Sequence, residues 1–371
     1  MKYRNVELYY EQALDDIGTK IMELRTSDPI SAIRLDFKGT NYSDYNKDNR
    51  LNDVITKIEL VDGSDQLLSL TLKEAQALEF RRTGKMPFMR IGESASGSQE
   101  EHCLILFGRS VLDPEYYMDL SKFRNPQLKI TTNIAAVRAA GTAGFLTGSL
   151  KVTIDLLTME DVKEAAKGFM MAKSIYSYTS AGSGDEHIDM PVDYPYVGLM
   201  MRAFVAGNDV DENISALKID CDAGKFIPLD KKVKDLYKIE EQDRGPAELH
   251  YYIFRKHGET VTHDLNHDPI ISLLTSVAGH IVGASWSWSS RFYLLLTDAA
   301  AAAITAEELV ELVVKGSCPH STIHVPFGLR DNPETYFDPR EFGDVDLILS
   351  QAAASAVSVV LEQLRPYGVK A

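Results

Sequence analysis

Apolar and polar residues alternate along much of the chain. In AIRLDFKG, Ile33, Leu35 and Phe37 share one face, while Arg34, Asp36 and Lys38 share the other. That period of two marks a strand with one buried face. VITKIEL repeats it with Val54, Thr56, Ile58 and Leu60, and SLKVTIDLL with Leu150, Val152, Ile154 and Leu156. Short strands punctuated by Gly, Pro, Asn and Asp turns predict a sandwich or barrel. Helical spacing is confined to a few places. Val6, Tyr10, Leu14, Ile17, Ile21 and Leu24 recur at three- and four-residue steps and predict an amphipathic helix over 5–25, ended by Ser27-Asp28-Pro29. Shorter helices are predicted at 71–84, 159–172, 230–242 and 305–316. The apolar stretch 270–286 carries His280 and several hydroxyls, and reads as strands rather than as a membrane span.

The chain also repeats itself. KIELVDGSDQLLSLTL (57–72) and KIDCDAGKFIPLD (218–230) share Lys-Ile-acid, an Asp/Gly turn, a return ending in Leu and a charged helical stretch. Further on, FGRSVLDPEYYMDLSKF (107–123) matches FGLRDNPETYFDPREF (327–342) through Phe-Gly, Pro-Glu, Tyr117/Tyr336 and Phe123/Phe342. SLKVTIDLL (149–157) then matches AVSVVLEQL (356–364). The order of the matches is the same in both copies, which isolated coincidences would not produce. The offset grows from 159–161 positions at the first pair to 219–220 at the second. The second copy therefore holds an insertion of about 60 residues within 243–320. The division expected is an N-terminal helical arm (1–28), a first β unit (29–158), a connector helix (159–172) and a second β unit (173–371) bearing a tower-like excursion.

Net charge narrows the function classes. With 39 Lys+Arg against 54 Asp+Glu the chain carries −15, and lacks the general attraction to phosphate backbones that nucleic-acid binders use. Three scattered cysteines, Cys103, Cys221 and Cys318, form no disulfide framework and suit a reducing compartment. The opening residues have acids throughout and no apolar run of the kind a signal peptide needs.

Candidate chemistry is sparse. His263 and His267 in HDLNH lack the Glu of a zinc-protease helix, and Asp268-Pro269 follows at once. Cys318, His320 and His324 could share a strand face, but no second ligand cluster lies nearby. Asp209, Asp211 and Asn213 open like a calcium loop, yet Ile214 stands where Gly is required, so a polar loop is expected. The Gly-rich stretches 141–149 and 180–186 have no strand–loop–helix context for holding phosphate. Ser94, Ser96 and Ser98 form no nucleophile elbow. Trp286 and Trp288 share one strand face and suit either sugar stacking or an apolar anchor. No catalytic, cofactor-binding or metal-ligating residue is assigned, and no cofactor is expected.

Two tandem β units, the second expanded, resemble the double jelly-roll major capsid proteins. That lineage is shared by tailless membrane-containing bacteriophages, related archaeal viruses and adenovirus-like viruses. The residues carrying the resemblance are 57–84, 107–130 and 344–368. It implies two eight-stranded jelly rolls and pseudo-hexagonal homotrimers built into an icosahedral shell. It also implies partners among neighbouring capsomers and minor capsid or vertex proteins, and an internal membrane met by the N-terminal helix. No direct nucleic-acid contact is expected. The protein would fold and assemble in the host cytoplasm and reside in the virion. The alternative is a tandem β-sandwich carbohydrate-binding or virion spike protein.

Overall fold

The computed structural model describes residues 2–43, 46, 49–136, 144–162, 164–256, 260–264, 267–277, 281–288, 291–297 and 307–367; side chains within 254–266 and 275–308, and those of 271 and 273, lie outside the description. The fold is mainly β. The chain opens with strands β1 (Lys2–Ala13), β2 (Ile17–Glu23) and β3 (Ile30–Thr40). A short helix α1 (Leu51–Val54) leads to β4 (Ile55–Asp62), β5 (Asp65–Leu70) and helix α2 (Leu72–Thr83). Next come β6 (Met89–Gly92), β7 (Ser98–Leu106), β8 (Pro126–Asn133) and β9 (Lys151–Glu160). The pattern then restarts with β10 (Gly168–Thr179), β11 (Asp185–Asp189), β12 (Tyr196–Phe204), α3 (Val210–Asn213), β13 (Ile214–Cys221), β14 (Phe226–Lys232) and α4 (Val233–Arg244). Six strands follow: β15 (Ala247–Lys256), β16 (Thr260–Asp264), β17 (His267–Val277), β18 (Ile281–Trp288), β19 (Arg291–Thr297) and β20 (Glu307–Pro319). The chain closes with β21 (Thr322–Pro326), β22 (Val345–Gln351) and β23 (Ala356–Pro366).

These strands build two jelly rolls. In the first, β1-β9-β3-β7 faces β2-β8-β4-β5; in the second, β10-β23-β12-β21 faces β11-β22-β13-β14. Most predicted inward positions fill the first interior: Ile33, Leu35, Phe37, Ile58, Leu60, Leu150, Val152, Ile154 and Leu156 are buried in one cluster. Val54 is buried there from helix α1, and Thr56 is only half-buried, its hydroxyl donating to the Thr131 carbonyl at 3.2 Å. A second cluster, with Ile219, Leu347 and Val359, fills the other roll. The rolls are joined by a parallel pairing of β5 with β10, Ala172 opposite Leu68. Outside them, β15, β20 and β17 extend the first roll's outer sheet through β6, while β16, β19 and β18 form a separate sheet.

The repeat is physical. Asp62 accepts backbone N–H groups of Arg124 and Asn125; its counterpart Asp222 accepts those of Gly343 and Asp344, 219 positions further on. Each carboxylate fixes the chain as it enters the strand beside its own turn. Asp119 caps a one-turn 3-10 helix before Phe123, and Asp338 caps the equivalent turn before Phe342. The Phe-Gly pairs have a steric origin. A Cβ on Gly108 would lie 2.5 Å from the Tyr116 carbonyl oxygen, and one on Gly328, where φ is +102°, would lie 2.3 Å from that of Thr335. Each glycine lets the following loop fold back onto its own strand.

Three expectations are corrected. The amphipathic helix over 5–25 is two strands: β1 pairs with β9, and β2 with β8. Register shifts between Glu7 and Tyr9 and between Tyr9 and Gln12 insert extra residues into β1, and bulges of this kind break the period of two into steps that mimic a helix. There is thus no helical arm to meet a membrane. The connector helix at 159–172 is the end of β9, a loop, and the start of β10. The helix predicted over 305–316 is β20, hydrogen-bonded on both sides by β15 and β17. There Val310, Leu312 and Val314 are buried, so a central sheet position overrides the helical preference of Glu and Leu.

Candidate functional site

The most elaborate polar arrangement in the described residues is the seam where the two rolls meet. Helix α2 starts with a capping box, Thr71 and Glu74 each holding the other's backbone N–H, and ends at Gly84 with φ +74°. This places Glu74, Arg81 and Arg82 of the first roll against the second. Ser358 on β23 donates to Glu74 Oε1 at 2.6 Å. Arg82 donates to Glu362 Oε2 at 2.6 and 3.1 Å, and His324 lies 2.9 Å from Glu362 Oε1. Arg81 meets Glu240 of α4 at 2.6 Å. At the far end Arg365 grips Asp65 through two bonds of 2.9 and 2.6 Å. Burial opposes ionisation of Glu362, but Arg82 and His324 overcome it and hold the carboxyl well below the usual range. Buried pairs of this kind fix geometry rather than add much net stability.

A second polar group lies where β17 and β20 end. His267, Asp268, His320 and Ser321 are all buried, and the two imidazoles meet edge to face at 5.5 Å. Ser321 donates to Asp268 Oδ1 at 2.8 Å, and burial pushes this carboxyl up to about 8. Burial also drives His320 well below its ordinary range. Burial thus favours the uncharged form of both groups.

The singled-out residues do not converge. His263 lies on β16 and His267 on β17; the His263 side chain is outside the described residues, as are those of Trp286 and Trp288 on β18. Cys318 is buried in the second core, His320 sits in the turn after β20 with φ +54°, and His324 is bound to Glu362. The strand carrying all three on one face is thus broken by a turn. Asp209, Asp211 and Asn213 belong to a short capped helix, not a loop. Of 141–149, residues 141–143 lie outside the description; Ser149 donates to the Leu146 carbonyl at 2.6 Å. Among the described residues no group of three or more His, Cys, Asp or Glu side chains is placed to hold a metal, and no helix is long and apolar enough to cross a membrane. The seam itself was missed in the sequence, because its partners stand 280 positions apart, as with Arg82 and Glu362.

No protein-family model and no curated protein matches the chain. Solved structures do match over nearly its full length. The STIV major capsid protein aligns with a TM-score of 0.63 at 10% identity, covering 99% of this chain and 98% of that one. The major capsid protein P2 from bacteriophage PM2 aligns with a TM-score of 0.55 at 10% identity, covering 99% and 98%. VP54 of PBCV-1 aligns with a TM-score of 0.55 at 9% identity, covering 98% and 93%. At such identities the likeness is one of fold: a double jelly roll spanning the chain.

Proposed function

We propose that this chain is a viral major capsid protein, a structural subunit that forms pseudo-hexagonal homotrimers in an icosahedral shell. The observation that carries the reading is the equivalence of marker residues in the two rolls, Asp62 with Asp222, Asp119 with Asp338 and Gly108 with Gly328, across a buried seam. Two like units per chain give six per trimer, and a shell unit needs rigid bodies and broad interfaces rather than a catalytic cleft. We take the first unit as 2–160, the second as 168–366, and the β15–β20 excursion as a tower. Neighbouring capsomers and minor capsid proteins are its partners, and the virion its location. No catalysis is assigned.

Native mass measurement of the purified chain tests this. A trimer or a larger multiple of three is expected. A monomer persisting at high concentration, or a stable dimer, would overturn it.

A further inference from the structure

The seam also holds a small cleft of about 50 Å³ between the rolls, partly open to solvent. Five arginines line it: Arg81, Arg82, Arg109, Arg244 and Arg330. Such a gathering is unexpected in a chain of net charge −15. The repeat builds it, since the two Phe-Gly elements place Gly108 and Gly328 in its wall and lead into Arg109 and Arg330.

The counter-ions do not balance the cations. Arg82 is matched by Glu362, Arg81 by Glu240, and Arg109 by Asp113 at 2.7 Å and Glu115 at 2.7 Å. Arg244 and Arg330 have no ion pair among the described residues. Among the described residues, the Arg330 side chain donates to the Arg82 carbonyl alone. Burial, with Arg82 close by, lowers it to about 10. Arg330 is half-buried with Glu362 as its nearest counter-charge, and Arg244 reaches the cavity from the exposed end of α4. Two guanidinium groups without a direct ion pair therefore border a space that holds only about three to five water-sized spheres. Arginine's planar donors suit oxyanions at such a site.

We propose that this cavity binds one phosphate-type oxyanion, which bridges the two rolls as an electrostatic staple. Thermal unfolding of the whole protein, at constant ionic strength, would be followed while chloride is replaced by inorganic phosphate. A saturable rise in the midpoint is expected, with binding at least tenfold weaker in R244Q/R330Q. In chloride alone the variant gains from relieved repulsion and loses the Arg330 bond to the Arg82 carbonyl, so the phosphate-dependent rise, and not the midpoint in chloride, is the readout. Should the double variant fail to fold, calorimetric titration of R244Q alone with phosphate serves instead, again with at least tenfold weakening expected. A methyl phosphate arm separates the sources: equal binding points to a phosphorylated ligand, and binding of inorganic phosphate alone to the free ion. No saturable rise in the parent, or an unchanged rise in the variant, would overturn the assignment.

Discussion

Glu362 is the point at which the seam can be broken most cleanly. Its side chain is 4% exposed, that of Arg82 8% and that of His324 16%. Replacing it with Ala strands the Arg82 guanidinium in a buried site, and losing one partner of a buried pair costs about 3–5 kcal/mol. The double replacement E362L/R82M should cost far less. It removes both charges, and leaves mainly the Leu106 carbonyl, now bonded by Arg82 at 2.6 Å, short of one donor, a loss of about 1–3 kcal/mol. Urea unfolding at pH 7 and fixed concentration measures both. Because Glu362 is held below its unfolded value, its contribution is present above about pH 4.3 and is lost only as pH falls through its low folded value. The carboxyl's contribution to the gap between parent and E362A should therefore persist from pH 6 to 8. An E362A loss under about 1 kcal/mol, or a double variant as weak as the summed singles, would refute this account of the seam.

Other consequences follow from single groups. D62A and D222A each strand two backbone donors and should each cost about 1–2 kcal/mol by chemical unfolding; equal losses at the two sites would support the repeat. G328A should destabilise by more than about 2 kcal/mol, whereas G63A, with no atom within 4 Å of the added Cβ, should cost about 1, the price of its φ alone. Asp268, Asp209 and Glu79, raised chiefly by burial to about 8, 7 and 7, bind protons more tightly folded than unfolded. Their stabilisation is present below their unfolded values near pH 4 and declines as pH rises, each by at most about 1.4 kcal/mol per unit. The protein should thus unfold at higher urea at pH 5.5 than at pH 8, with a smaller difference in D268N.

The two rolls could be read from the sequence because their markers are locally enforced. Asp62 and Asp222 must accept neighbouring N–H groups, and Gly108 and Gly328 must admit a carbonyl; both demands leave a residue type at the matching place in each copy. The inward faces of β3, β4 and β9 were legible for the same reason, as a period of two. Strands β1 and β20 were not. Bulges disguise the first, and Glu and Leu in the second favour helix until sheet partners on both sides override them. Apart from Arg109 and Asp113, four positions apart, the seam and its arginines left no local mark, since the other pairs join residues that only the finished fold brings together.

The central claim is that this chain is a shell subunit of six-fold appearance built from three copies. A cryo-EM map of the purified assembly tests it most directly. The account predicts particles of three 41.3 kDa chains, showing six upright β barrels in a ring with three protruding excursions. A map with one chain per particle, or with a number of chains that is not a multiple of three, would contradict it.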